Sequence, residues 1–260
     1  MSGAATLAVS LETCLKELRL PAFRECYEEE ARRAQQESVG YEQYLLELAQ
    51  RECEERRNHR MERDLKVSRL PLEKSLANFD LKRLPQKVRQ QVRTLLEGSF
   101  LERRENVLAF GNPGSGKTHL LCAVGQELIR QGRRVYFTPT SLLVQDLLVA
   151  KRDLKLSRVI KRLSKFDAVI VDDIGYVQQT REEMEVLFTL LAERYERGSV
   201  MLSSNLPFSK WEQIFKDPMT TAAAIDRLVH HSVILELNLP SYRIKAAKTD
   251  KQREESGKKK

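Results

Sequence analysis

The sequence predicts an α/β protein, a five-stranded parallel sheet covered by helices on both faces, preceded by a small all-helical domain. Two observations predict it. From residue 107 onward, short apolar runs alternate with helical stretches, the pattern of buried strands joined by helical crossovers. The first hundred residues, by contrast, read as helical. The expected division is a helical domain over 1–68, a linker over 69–85, an α/β domain over 86–244 and a basic, disordered tail over 245–260.

The elements follow in order. Leu11, Leu15 and Leu18, then Pro21, outline a short amphipathic helix with a stop. A second helix is expected over 22–37, ending near Gly40. A third begins near Tyr41, carries Tyr44, Leu45, Leu48 and Ala49 at helical spacing, and becomes almost wholly charged from Arg51 to Lys66. That charged run reads as a solvated face laced with i,i+4 pairs. Pro71 and Pro85 bracket the linker, and a helix over 86–96 follows. Strands are then expected at 107–110, 135–138, 168–172, 200–203 and 233–237. The helices between them are expected at 117–130, 141–151 and 181–197.

Composition narrows the class. Of 260 residues, 41% are hydrophobic and 32% charged, which suits a soluble protein with long charged helices. No apolar run approaches the ~20 residues of a membrane span, and no basic region precedes the short apolar run at the N-terminus. The cysteines, Cys14, Cys26, Cys53 and Cys122, lack metal-binding spacing and read as reduced thiols. The net charge of +8 is unevenly placed: residues 151–165 hold seven Lys/Arg against one Asp, and residues 243–260 eight against three. Such concentration suggests a polyanionic partner.

Gly111-Asn112-Pro113-Gly114-Ser115-Gly116-Lys117-Thr118 fits G-x-x-x-x-G-K-[ST] at every fixed position, between an expected strand and an expected helix. Glycines let backbone N–H groups curl around phosphate oxygens, and the helix start adds its positive dipole end. Asn112, Pro113, Gly114, Ser115, Gly116, Lys117, Thr118 and His119 are therefore the expected nucleotide-binding residues. Lys117 is placed to reach the β- and γ-phosphates, and the Thr118 hydroxyl to ligate Mg²⁺.

Fifty-five residues after Lys117, the apolar run from Ala168 ends in Asp172 and Asp173. Two carboxylates closing a buried strand are costly unless used, and at the C-terminal edge of a parallel sheet they face the ligand. Asp172 is expected to hold Mg²⁺, directly or through water, and Asp173 to orient or deprotonate the attacking water. The strand at 135–138, lying between the cradle strand and the acidic strand in sequence, is read as the extra strand of P-loop proteins that hydrolyse ATP through a polarised water. Asn205, just past the fourth strand, is placed to bond the γ-phosphate or that water.

These residues in this order resemble an AAA+ ATPase, with Gly111–Thr118 as Walker A, Val169–Asp173 as Walker B and Asn205 as sensor 1. The resemblance implies that Arg227, in Ala224-Ile225-Asp226-Arg227-Leu228, is an arginine finger acting on a neighbouring subunit's nucleotide. Asp-Asp-Ile-Gly at 172–175, Asp226-Arg227-Leu228-Val229-His230-His231-Ser232 and Ser241-Tyr242-Arg243 are similar to the IstB/DnaC group, and within it to the IstB branch. That group comprises helper ATPases of IS21-type transposons and replicative-helicase loaders of bacteria. The resemblance implies ATP and Mg²⁺ as cofactors, a homo-oligomer with ATP at subunit interfaces, duplex DNA and a cognate transposase as partners, and a bacterial cytoplasmic location. Two departures stand out: Asp173 occupies a position where most AAA+ proteins carry Glu, and little or no C-terminal lid follows the last strand. Arg243 is read either as a sensor 2 residue or as a structural or DNA-facing one.

The basic run between the second and third strands supplies the expected DNA contacts, Lys151, Arg152, Lys155, Arg158, Lys161 and Arg162. Leu154, Ile160 and Leu163 are expected to anchor it. Contacts of this kind go to phosphates and are strongly salt-dependent. The leading expectation is an ATP-controlled DNA-binding helper of transposition, ahead of a helicase loader. A small-molecule kinase fits poorly, because such a substrate requires neither Arg227, Asn205 nor the basic run.

Overall fold

The computed structural model describes residues 2–175, 180–211 and 218–242. They form two compact units that divide between Arg63 and Asp64. No helix among the described residues is long and apolar enough to cross a membrane.

The first unit contains α1 (Ser2–Glu17), α2 (Pro21–Gln36) and most of α3 (Tyr41–Ser68). Arg19 adopts φ 55 and Leu20 N–H bonds back to the Leu15 carbonyl at 2.9 Å, a left-handed helix close. Pro21 then opens α2, where its missing N–H leaves nothing unsatisfied. The charged part of α3 is more than a solvated face. Buried Glu52 accepts the Ala22 N–H at 2.9 Å at the start of α2. Arg56 donates to Glu52 at 2.7 Å and to the Arg19 carbonyl at 2.6 Å at the end of α1. Each charge opposes the dipole of the helix end it meets. The apolar stripe on α3 is only partly used: Leu48 is buried, whereas Tyr41 is 93% exposed.

The second unit is built on β1 (Asn106–Phe110), β2 (Val135–Pro139), β3 (Ala168–Ile174), β4 (Ser199–Ser204) and β5 (Ser232–Glu236). They form one all-parallel sheet in the order β2-β3-β4-β1-β5. The expected strands thus form, but the strand between β1 and β3 in space is β4, while β2 lies at the edge. This corrects the reading of 135–138 as the inserted strand, because sequence order does not fix the order of strands across a parallel sheet. The helices are α4 (Gln86–Leu96), α5 (Ser99–Glu102), α6 (Lys117–Arg130), α7 (Thr140–Arg152), α8 (Leu156–Leu163), α9 (Arg181–Arg194) and α10 (Pro218–Val229). Leu147 of α7 and Leu187 of α9 join Val169, Val171 and Leu202 in one core. Gly125 of α6 lies so close to β3 that a Cβ there would meet Ile170 at 2.9 Å.

The stretch read as a linker, 69–85, lies in this second unit. Gln126 of α6 donates to the carbonyls of Pro71, Leu72 and Lys74 at 3.2–3.4 Å, and Leu70 and Leu84 are buried. The basic run is divided between the end of α7 and α8, because Leu154 turns the chain at φ 57 and is 93% exposed. Leu154 therefore anchors nothing, and Ile160 and Leu163 carry the buried face.

One buried cation ties the lower edge of the sheet. Arg194, 2% exposed, donates to the carbonyls of Leu163, Phe166, Asp167 and Ser199 at 2.9–3.1 Å. Burial pushes its guanidinium down to about 10, which leaves it charged at neutral pH. Arg194→Met strands several buried carbonyls, which is expected to cost on the order of 3 kcal/mol. Thermal melting should fall by roughly 6–12 °C, and an unchanged melt would contradict this account.

Candidate active site

The segment after β1 is shaped by its glycines. Gly111 adopts φ 150, and a Cβ there would lie 2.3 Å from the Leu237 carbonyl oxygen, a backbone atom that cannot yield. Gly116 adopts φ 98 as the N-cap of α6, with Phe79 filling the space beside it. Together they turn the backbone of the loop around the start of α6, whose first N–H groups have no partners within the helix. The Ser115 hydroxyl is buried inside this turn with no hydrogen-bond partner among the described residues. A curled loop, the start of a helix, an orphan hydroxyl and a buried lysine fit a polyphosphate. Lys117 Nζ donates to the carbonyls of Gly111 at 2.8 Å and Asn112 at 3.1 Å, and to Asn205 Oδ1 at 2.5 Å.

Across from the loop, the end of β3 departs from regular pairing. The register between β3 and β4 shifts between Val171 and Ile174, and Asp173 takes φ 64, a conformation disfavoured for any residue with a side chain. Asp172 Oδ1 accepts from the Thr118 hydroxyl at 2.8 Å and from the Ser203 hydroxyl at 2.6 Å. The same Ser203 oxygen accepts the Asp173 N–H at 2.8 Å. Asn205 Nδ2 donates to Asp173 Oδ1 at 2.9 Å. Thr118, Asp172, Asp173, Asn205 and Lys117 thus meet in one hydrogen-bonded chain, with the hydroxyl and carboxylate oxygens that a hard divalent cation requires.

Ser203 was not singled out in the sequence, where a serine in an apolar strand carries no signal. Fully buried on β4, it fixes both the Asp172 carboxylate and the bulge that aims Asp173. If the site hydrolyses a nucleoside triphosphate with a divalent cation, Ser203→Ala is expected to reduce that turnover by roughly 10–100-fold, the range for a residue that orients metal-binding groups, and to raise the cation concentration required. Turnover equal to that of the unsubstituted chain at every cation concentration would refute this.

A cavity of about 330 Å³ opens beside the loop. Its rim comes from places where sequence reasoning found no site: Phe79 and Arg83 before β1, and Tyr242 after β5. Arg83 lies over the Tyr242 ring at 5.0 Å and donates to the Pro240 carbonyl at 3.1 Å. Tyr242 N–H bonds the Gly114 carbonyl at 2.9 Å, so the segment after β5 is fastened to the loop. His119 lines the cavity, its Nε2 2.9 Å from the Ser75 carbonyl and its ring edge-on to Phe79 at 5.2 Å. Flat, partly apolar walls beside a phosphate cradle suit a nucleotide base.

Other expected residues lie elsewhere. The side-chain amide of Asn106, the first residue of β1, donates to the Arg227 and Leu228 carbonyls. The loop follows the other end of this five-residue strand, roughly 13 Å away, and Arg227 does not line the cavity. Its guanidinium rests 4.5 Å from the Phe188 ring centroid, with Nη1 buried and without a hydrogen-bond partner among the described residues. Lys151 pairs with Glu185 at 2.9 Å and Lys155 with Asp153 at 3.2 Å. Arg152 is exposed at the end of α7. On α8, Arg158, Lys161 and Arg162 are exposed at i, i+3 and i+4 spacing, opposite buried Ile160 and Leu163. Arg243 and the basic tail 245–260 lie outside the described residues.

Solved structures share this fold. The chain is similar to a replication initiator DnaA bound to AMPPCP and single-stranded DNA (TM-score 0.56, 20% identity, 71% of this chain and 56% of that one). It is likewise similar to the DnaC helicase loader (TM-score 0.51, 17% identity, 58% of this chain and 88% of that one). At such identities the likeness establishes the fold alone. Sequence relatives are closer. An insertion-sequence ATP-binding protein of Sinorhizobium fredii is 43% identical over 90% of this chain and 78% of its own length. The IS21 ATP-binding protein of Pseudomonas aeruginosa is 38% identical over 90% of this chain and 89% of its own length. The family described as IstB-like ATP binding protein matches residues 13–250. A P-loop sheet with this cradle, and relatives matched over nine-tenths of the chain, lead to one conclusion: the chain belongs to the IstB-like ATP-binding protein family.

Proposed function

We propose that the chain is a Mg²⁺-dependent ATPase of the bacterial cytoplasm that assembles on duplex DNA and assists a cognate transposase. The observation that carries the ATPase reading is the unbroken hydrogen-bond chain from Thr118 through Asp172, Ser203 and Asp173 to Asn205 and Lys117. Lys117 and the loop N–H groups hold the β- and γ-phosphates, while Phe79, Arg83 and Tyr242 flank the base. Mg²⁺, held by Thr118 and Asp172, would neutralise charge on the phosphate oxygens. Asp173, oriented by Asn205, takes a proton as water oxygen bonds to the γ-phosphorus and the bond to the β–γ bridging oxygen breaks. Asp173 is one methylene shorter than the common glutamate, so alignment of the water by a neighbouring subunit matters more.

The DNA reading is supported by the exposed cations of α8 and by the insertion-sequence context of the relatives. α7 offers a physical link between the two activities. At its start the Thr140 hydroxyl bonds the Asp172 carbonyl at 2.8 Å, and its far end leads into the basic helix. Hydrolysis and complex size measured with duplex, with single-stranded DNA and without DNA test this reading. ATP-dependent assembly on duplex is the expected result. Binding confined to single strands would replace it with a helicase-loader role, and DNA-indifferent monomers would overturn both.

A further inference from the structure

At the end of the sheet opposite the nucleotide cavity, Glu196, His230 and His231 converge. One potential ligand atom from each lies within 4.8 Å of the other two, and all three residues are exposed. Glu196 sits in the loop between α9 and β4, with its backbone at φ 57. The two histidines close the turn between α10 and β5, their rings packed edge to face at 4.2 Å.

The hydrogen bond of Tyr195 positions the His230 ring. The Tyr195 hydroxyl is 3.1 Å from His230 Nδ1. In the tautomer with Nδ1–H, the Tyr195 oxygen accepts that proton and Nε2 of His230 carries the free lone pair. A ring whose second nitrogen donates to an oxygen is the usual arrangement of a metal-ligating histidine.

We propose that Glu196, His230 and His231 form a binding site for a first-row transition-metal dication of the Zn²⁺ class. Two imidazoles and one carboxylate match Zn²⁺, Ni²⁺ or Cu²⁺ rather than Mg²⁺, which prefers oxygen ligands and retained water. Three protein ligands leave the fourth tetrahedral position to water or to a group from outside the chain. Such an ion links the α9–β4 loop to the last turn of α10, where His230 N–H bonds the Asp226 carbonyl at 2.9 Å beside Arg227. The ion thereby restrains the segment that carries Arg227. That consequence rests on the proposed role of Arg227, whereas the binding does not.

The test uses the full chain, freed of metal, without nucleotide, and with Cys14→Ser and Cys53→Ser to remove the exposed thiols. Zn²⁺ is titrated against a chromophoric chelator. One ion per chain is expected, with binding lost in His230→Ala and in His231→Ala. Tyr195→Phe is expected to weaken binding by roughly 10-fold, and His59→Ala to leave it unchanged. Unaltered thermal melts of the metal-free variants separate lost ligands from lost folding. Absence of stoichiometric Zn²⁺ binding, its persistence in His231→Ala, or an equal loss in His59→Ala would overturn the site. Arg227→Ala is expected to bind Zn²⁺ as the unsubstituted chain does, so the ion site and the arginine's role fail separately.

Discussion

Lys117→Ala is expected to lower ATP turnover by about 10³-fold, the scale of losing one charge-stabilising group in a preorganised site. Nucleotide affinity should fall as well. Lys117 is buried to 95% and held among the Gly111 and Asn112 carbonyls and Asn205. Its ammonium is thus positioned before any phosphate arrives, and no other cation in the loop can substitute for it. Retained hydrolysis in Lys117→Ala would mean that phosphate charge is neutralised elsewhere. Folding should survive, because the lysine tip sits in the loop, bonded to two loop carbonyls and the Asn205 amide, and outside the apolar core. A thermal melt of the variant without nucleotide checks that point. Asn205→Ala offers a graded comparison. It keeps the lysine on its two loop carbonyls, removes the Asn205 bonds to Lys117 and Asp173, and should slow hydrolysis more than it weakens ATP binding.

Much of this site was legible in the sequence because phosphate chemistry constrains the backbone. A Cβ on Gly111 would lie 2.3 Å from the Leu237 carbonyl oxygen and Gly116 is left-handed, so few other residues fit there. The motif therefore appears as fixed letters at fixed spacing. Asp172 was legible because two carboxylates closing an apolar strand demand an explanation. The same logic could not find Ser203, whose burial and bonding to Asp172 depend on β4 lying beside β3. Nor could it find Phe79 and Arg83. They come from a segment whose prolines suggest only turns, and they reach the cavity because Gln126 and His119 hold that segment against α6.

The same limit explains the errors in the basic run and the sheet. Leu154 has the apolar character of an anchor, but its left-handed backbone ends α7 and turns it out to solvent. What survives is a short helix with cations at 158, 161 and 162 on one face. The position of β4 between β1 and β3 is likewise a property of crossovers, which periodicity does not encode. It matters for the chemistry, since β4 brings Ser203 and Asn205 between the cradle and the acidic strand.

Arg227→Ala is expected to abolish hydrolysis while sparing ATP binding, and its defect should be repairable by a partner that is itself inactive. The first half follows from position. Arg227 lies near the start of β1, a strand's length from the loop that follows it, so it has no path to its own nucleotide. Its guanidinium is nonetheless prepared for use. Phe188 supports one face at 4.5 Å, and Nη1 lies buried without a partner among the described residues, an arrangement that is costly unless something engages it. An arginine supplied to a neighbour's γ-phosphate contributes about 10³–10⁵ in turnover. The second half follows from geometry across an interface. In a mixture of Lys117→Ala and Arg227→Ala chains, some interfaces pair an intact cradle from one with an intact arginine from the other. Those interfaces should hydrolyse ATP, so the mixture should regain a measurable fraction of wild-type turnover although neither variant does alone. If the mixture stays at the level of its components, Arg227 does not act across subunits, and the buried Nη1, without a hydrogen-bond partner among the described residues, needs another explanation.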